Sequence, residues 1–430
     1  MDQTTVGLLG FAILLGLLAI GMPIGTAMFL VGLLGGFFAF GLAFVTSSAA
    51  VAWGTLSENG LTAIPLFVLM GELILRSGIA DRMYSVFSKW FQGVPGGLLY
   101  SNIGSCALFS ATSGSSVATA ATIATVALPN MQKRGYSMRA ALGSLAAGGT
   151  LGILIPPSIN LIIYGSITGT SVGKLFLAGL VPGVLLTLAF MVWIYISNRG
   201  QAVSEELPIS VRERILATKD LWEPALIFLA VMGSLYSGLA TATEAAAVAV
   251  VLTVFAVWRN RQLNWALLRE AFIATARTSG MILFIILGAF VLNLALSLTG
   301  IGNAITKWIL SFGLSQIELL GVLLLLYVVL GMFMDTLSMM VATIPLIFPA
   351  VTAVGVDPVW FGIFIVLMCE IGLITPPVGM NLFVVQGVRQ DGGSIQEVIW
   401  GVVPYVVIMV LFVLLLIWVP DIALWLTKEG

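Results

Sequence analysis

The chain has 430 residues, 60% of them hydrophobic and 9% charged, with a mean hydropathy of +1.11. That much apolar surface excludes a soluble domain, and the length accommodates roughly a dozen membrane segments of about 20 residues, with no room for a folded aqueous domain. A formal net charge of −1 implies neither nucleic acid nor an anionic surface as partner, and the absence of histidine excludes histidine metal sites, general bases and proton relays.

The first apolar run starts at Val6, behind a stretch with an aspartate and no basic residue. A cleaved leader carries positive charge there, so a retained first helix with its N-terminus outside is expected. Hydropathy places spans near 6–21, 24–45 and 61–75. Residues 76–92 are amphipathic and too charged to cross, which predicts an arm along the interface. Short apolar pieces at 97–111 and 115–130 flank a polar run from Ser110 to Ser116, predicting a re-entrant helical hairpin over 97–130. A broken helix at 140–165 and a span at 174–197 complete a first unit, residues 1–198.

Residues 199–221 read as a cytoplasmic linker, a loop of mixed charge running on to Glu223. Residues 222–430 then repeat the order, with spans near 222–239, 243–258 and 271–297 and an arm at 300–311. A hairpin at 314–350, a broken helix at 358–387 and a span at 396–419 follow. Ser77-Gly78-Ile79 and Thr299-Gly300-Ile301 open the two arms alike.

Each predicted broken helix contains a double proline, Pro156-Pro157 and Pro376-Pro377. Proline removes a backbone donor and clashes with the preceding turn, so neither helix runs through cleanly. Polar groups freed inside a bilayer must line a cavity or meet a ligand. Two such breaks at matching places point to a transport site near the membrane midplane. Sodium, a hard cation, takes hydroxyl and carbonyl oxygens of the kind a hairpin tip and a broken helix supply.

In the first half these are Ser113, Gly114, Ser115 and Ser116 at the tip, with Gly149, Thr150, Gly152, Pro156 and Asn160 on the broken helix. In the second half they are Asp335, Thr336 and Ser338, with Gly372, Thr375, Pro376 and Asn381. A single hydroxyl reads equally as a partner for its own helix carbonyls; the clusters beside two breaks read as sites. A carboxylate at the depth of Asp335 costs about 2.5–3.5 kcal/mol, so it has a partner or a task, either cation binding or a helix cap. Glu370 either joins the second site or faces a neighbouring helix. Glu72, four residues before Arg76, and Glu244, opening a helix after Thr241, read as scaffold. Cys106 and Cys369, far apart in apolar segments, read as small buried residues.

Charge sets the threading. Of the 18 lysines and arginines, only Lys174, Lys307 and Lys428 fall in segments assigned to the outside. The first hairpin is flanked by Lys133, Arg134 and Arg139, whereas residues 353–358 beside the second carry no basic side chain. The two hairpins therefore enter from opposite faces, which predicts an all-α polytopic membrane protein of two inverted-topology repeats.

The run 110–123, Ile155-Pro156-Pro157-Ser158, Gly331 to Asp335 and Ile374-Thr375-Pro376-Pro377-Val378-Gly379-Met380-Asn381 resemble motifs of the large membrane subunit of TRAP (tripartite ATP-independent periplasmic) transporters, across the whole chain. Ala242, where that family often has proline, is a departure in a scaffold loop. The resemblance implies an elevator-type secondary transporter in the bacterial cytoplasmic (inner) membrane, driven by Na+. It implies a small membrane subunit and a periplasmic substrate-binding protein as partners. The cargo would be an organic acid anion such as a C4-dicarboxylate, sialic acid or a 2-oxo acid. It places one cation at each cluster and the solute between the tips, facing Ser116, Asn160, Ser338 and Asn381. A proton-coupled carrier on the same fold would use Asp335 or Glu370 instead. An intramembrane enzyme lacks a nucleophile–base pair, since histidine is absent and Asp335 has no aspartate partner, and a passive channel does not call for paired breaks.

Overall fold

The computed structural model describes residues 9–428 apart from 11, 15, 19, 200–208 and the side chain of Asn303. The expected start of the first span at Val6, and most of the polar linker, lie outside the described residues. Within them every regular element is helical. Helical residues between 9 and 18 precede α1 (Ile24–Phe40), α2 (Leu42–Leu56), α3 (Ala63–Arg76) and the arm α4 (Ile79–Trp90). The first hairpin is α5 (Gly97–Ser113) and α6 (Ser116–Lys133); the first broken helix is α7 (Met138–Leu154) and α8 (Ile159–Thr168), bent by 40°; α9 (Val172–Ser197) follows.

After α10 (Val211–Thr218) come α11 (Trp222–Tyr236), α12 (Ala242–Arg259), α13 (Trp265–Thr299) and the arm α14 (Ile301–Ser311). The second hairpin is α15 (Gln316–Gly331) and α16 (Thr336–Ala353), and the second broken helix is α17 (Pro358–Leu373) and α18 (Met380–Val388). The chain closes with α19 (Ile395–Trp418) and α20 (Asp421–Lys428). Both arms start behind a glycine in the left-handed region, Gly78 at φ +70° and Gly300 at +71°, so the sequence echo there is one of backbone geometry.

Three expectations need correction. Six described helices are long and apolar enough to cross a membrane, or up to eight if each bent pair counts once, rather than a dozen. Further apolar helices, such as Ile24–Phe40 with 17 residues and Pro358–Leu373 with 16, lie at the lower limit of about 17 residues for a crossing. The single span expected at 24–45 is two helices, because Gly41 stops α1 with φ +70°. Its neighbours Phe40 and Leu42 keep hydropathy high through the break. The linker is not all loop: Ser210 and Glu213 form a reciprocal capping box that starts α10 in a polar sequence. Beyond the last expected span, in a stretch for which no element is expected, lies the short helix α20.

The helices pack in two sets. One, which we call the frame, comprises α1, α2, α3, α12 and α13, joined by α11 through α12. Here α1 lies so close to the 35-residue α13 that a Cβ on Gly32 would stand 2.7 Å from the Leu292 backbone. The second set surrounds α7, which packs against α5, α6 and α19. The α7–α19 crossing is tighter still, since a Cβ on Gly143 would meet the Gly401 carbonyl oxygen at 2.2 Å. Small residues permit such approach where no water is available to drive association.

The arm α4 is tied to the frame by charge. Glu223 on α11 is buried and receives Arg82 of α4 at 2.8 Å, Arg259 at 3.5 Å and the Asn260 amide at 2.8 and 2.9 Å. One carboxylate is thus shared by the arm and the end of α12, and its lone pairs are used by donors from both.

Substituting Gly143→Leu forces α7 and α19 apart, an overpacking cost of about 1–3 kcal/mol. Thermal unfolding of the detergent-purified protein is expected to shift down accordingly. Gly233→Leu on α11, where nothing lies within 4 Å, is expected to leave the transition in place.

Candidate functional site

The first hairpin turns because Gly114, at φ +61°, ends α5 and lets extended Ser115 cap α6, its Oγ accepting from the Ala118 amide at 3.4 Å. Ser113 and Thr119 hydroxyls lie 2.8 Å apart, and Thr119 donates to the Ser115 carbonyl at 2.8 Å. The first break runs from Ile155 to Ser158, with a cis bond between the prolines. Ser158 then caps α8, its Oγ accepting from the Leu161 amide at 3.3 Å.

Tip and break are seated on each other. A Cβ on Gly152 would stand 2.7 Å from the Ser115 carbonyl and the Ser116 Cα; one on Gly114 would stand 2.9 Å from the Pro157 carbonyl oxygen. The second half makes the equivalent contact, with a Cβ on Gly372 only 2.6 Å from the Gly331 Cα. The Val378 amide donates to the Met332 carbonyl at 3.1 Å, fastening the second break to the second tip. Asp335 caps α16, accepting the Ser338 amide at 3.2 Å and, in a short bond, the Ser338 hydroxyl.

Both tips open on one cavity of about 790 Å³. Ser113 to Ser116, Ile153 and Asn160 line it from the first half, and Asp335, Thr336, Ser338, Leu373 and Met380 from the second. The frame supplies the opposite wall with Thr26 of α1, Glu72 of α3 and Thr278 of α13. The carbonyl ends of α5, α7 and α17 and the amide ends of α6, α8, α16 and α18 therefore reach the same space. Carbonyl ends favour cations and amide ends favour anions, so the cavity offers positions for both. Among the described lining residues there are two carboxylates, Glu72 and Asp335, and no lysine or arginine.

Asp335 is the helix cap that one of its expected readings called for, and it also lines the cavity. The remaining sequence-predicted residues divide. Asn160 lines the cavity with its amide nitrogen buried and unpartnered. Gly152 and Gly372 are the seats of the tips, and Pro156 and Pro376 shape the breaks without lining the cavity. The Thr150 hydroxyl donates to the Ala147 carbonyl at 2.6 Å on the side of Met409, and Thr375 donates to Ile371 at 2.6 Å, so each is bonded to its own helix. Asn381, fully buried, stands beside Gly149 and donates to the Ala146 carbonyl at 3.4 Å. It links the second break to the first broken helix and does not face the cavity.

Sequence reasoning did not find the frame wall. Glu72 is bridged to Arg76 at 3.0 Å, as its spacing implied, yet it also borders the cavity. Thr26 is a lone hydroxyl in an apolar helix, and Thr278 lies in the polar run Thr275 to Ser279 with no helix break beside it to mark a site. Glu370, left open between two settings, is placed with the first tip: its Oε1 accepts the Ser116 hydroxyl at 2.7 Å and the Ile153 amide at 3.2 Å. Arg389 is held by Asp391 and Glu397 behind α18. Its guanidinium keeps the Asp391 carboxyl below the usual aspartate range.

Comparison with known proteins agrees with this architecture. The family model described as "Tripartite ATP-independent periplasmic transporter, DctM component" matches residues 11–422. The C4-dicarboxylate TRAP transporter large permease protein DctM of Pseudomonas aeruginosa is 36% identical over 382 residues, covering 88% of this chain and 89% of the relative. The protein of the same name from Vibrio cholerae is 35% identical over 445 residues, covering 97% and 96%. Among solved structures, the YdaH transporter of Alcanivorax borkumensis superposes with a TM-score of 0.63 over 90% of this chain and 89% of its own, at 14% identity, a likeness of fold. With its polytopic helical fold and a match over nearly its whole length, the chain belongs to the DctM family of large TRAP-transporter permeases, multi-pass membrane proteins of bacterial transport systems.

Proposed function

We propose that the protein carries out sodium-coupled secondary uptake of an organic acid anion across the bacterial cytoplasmic membrane, with its N-terminus on the periplasmic side. The cargo class is a carboxylate such as a C4-dicarboxylate or sialic acid, delivered by a periplasmic binding protein, and a small membrane subunit braces the frame. The observation that carries this reading is the cavity's charge. With Glu72 paired to Arg76, Asp335 leaves the cavity one uncompensated negative charge and its described lining residues include no basic side chain, so an entering anion meets repulsion unless cations enter too. Carbonyl ends and hydroxyls at the two tips offer cations the oxygens they need, and the amide ends between them then suit the carboxylate.

Coupling follows from this order. Cations seat first at Ser113 to Ser116 and at Asp335 to Ser338, the anion completes the neutral load, and the second helix set carries both past the frame. A ligand shifts a conformational equilibrium only by its differential affinity for the two states. The half-loaded form, with an unbalanced charge in a low-dielectric slot, therefore moves poorly.

Two outcomes are expected in proteoliposomes holding the protein with its small subunit and binding protein, using labelled succinate as probe. An inward sodium gradient drives uptake, and Asp335→Asn lowers sodium-driven uptake by about tenfold or more; uptake driven by a pH gradient without sodium would transfer the coupling role to protons. In the same assay Gly152→Val, which unseats the first tip, is expected to abolish uptake. Gly280→Val on α13, where nothing lies within 4 Å, is expected to retain it.

A further inference from the structure

Glu370 has no exposed surface, and no basic side chain is paired with it among the described residues. One oxygen, Oε1, takes both available donors, the Ser116 hydroxyl at 2.7 Å and the Ile153 amide at 3.2 Å, while Oε2 has no partner. A buried carboxyl group half satisfied in this way is costly to keep unless a further positive group completes it. Its two donors both line the cavity, Ser116 in the first cluster and Ile153 next to Gly152, so the carboxyl stands directly behind the first tip although it is carried by α17 of the second half.

The two clusters also differ in charge. The second contains Asp335, whereas Ser113, Ser115, Ser116 and the carbonyl ends of α5 and α7 bring no formal charge to the first. A monovalent cation held by neutral oxygens alone, in a low-dielectric site, lacks a compensating anion.

We propose that Glu370 is the counter-charge of the first cation position. It reaches across the molecule from the second broken helix, fixes Ser116 and the last turn of α7 as ligands, and supplies the negative charge that this cluster lacks. The second half thus contributes the acid at both positions, Asp335 directly and Glu370 from behind. This rests on the sodium-coupled reading above.

The test is sodium binding to the purified full-length protein, by isothermal titration and by the sodium-dependent rise in unfolding temperature, with potassium as control. Glu370→Gln keeps an acceptor oxygen for Ser116 and Ile153 and removes only the charge. It is expected to weaken one sodium-binding event by about tenfold or more while leaving the other, at Asp335, in place. The double variant Glu370→Gln/Ser116→Asp returns a carboxylate to the other end of the same hydrogen bond and is expected to recover affinity. If the wild-type protein shows no sodium response, the coupling reading itself falls. If it responds and Glu370→Gln binds sodium equally well, only the Glu370 assignment is overturned. A Glu370→Gln chain that fails to fold in high sodium, alone and with Ser116→Asp, makes the residue a structural acceptor and overturns the assignment too.

Discussion

The site depends on one contact made twice: a hairpin tip resting directly on the backbone of an interrupted helix. In the first half Gly152 is the seat and Ser115 and Ser116 rest on it; in the second, Gly331 and Gly372 meet Cα to Cα. The contact matters because of what it brings together. A helix interrupted in a bilayer leaves carbonyls on one side of the gap and amides on the other, with no water to satisfy them. Seating a second pair of helix ends against that gap concentrates both kinds of group on one cavity. A side chain at either seat would separate the ends and dilute the effect.

From that geometry the electrostatics follow. The cavity gathers backbone dipoles of both signs, while the charged side chains among its described lining residues are acidic only. On the proposed sodium-coupled reading, cations take the carbonyl ends first, and the amide ends of α6, α8, α16 and α18 then face a space that suits a carboxylate. That reading makes recognition a matter of loading order, without a dedicated arginine clamp. The nearest arginine after the second break, Arg389, is committed to Asp391 and Glu397 and adds nothing to the cavity.

The surrounding packing holds the two walls of the cavity in separate sets of helices. Close glycine crossings unite α1 with α13 and α7 with α19, each within its own set. Between the sets both kinds of contact occur: α3 of the frame packs closely on α5, where a Cβ on Gly71 would stand 3.2 Å from the Ser113 Cα, and the arm α4 reaches the frame through the Glu223 cluster, a charged junction at the end of α11 and α12. Interdigitated backbone resists relative movement, whereas a junction of long side chains around one carboxylate can pivot.

The amino-acid sequence by itself determined the membrane class, both hairpins, both breaks and the arms, because hydropathy, paired prolines and small-residue punctuation act over a few neighbouring residues. It also determined that the hydroxyl-rich run at 110–116 and Asp335 belong at the tips. Local apolar continuity hid the break at Gly41, and polar composition hid α10 even though Ser210 and Glu213 stood at capping-box spacing. What only the tertiary structure decided is rotational phase and long-range pairing. Thr150 and Asn381 sit at the right height but point to Met409 and Ala146, a difference of part of a helical turn that a sequence without a fixed partner does not specify. Glu72 borders the cavity because α3 happens to face the tips, and Glu370 meets Ser116 across 254 residues because α17 packs beside α7. Such pairings arise from the docking of whole helices, and no local pattern encodes them.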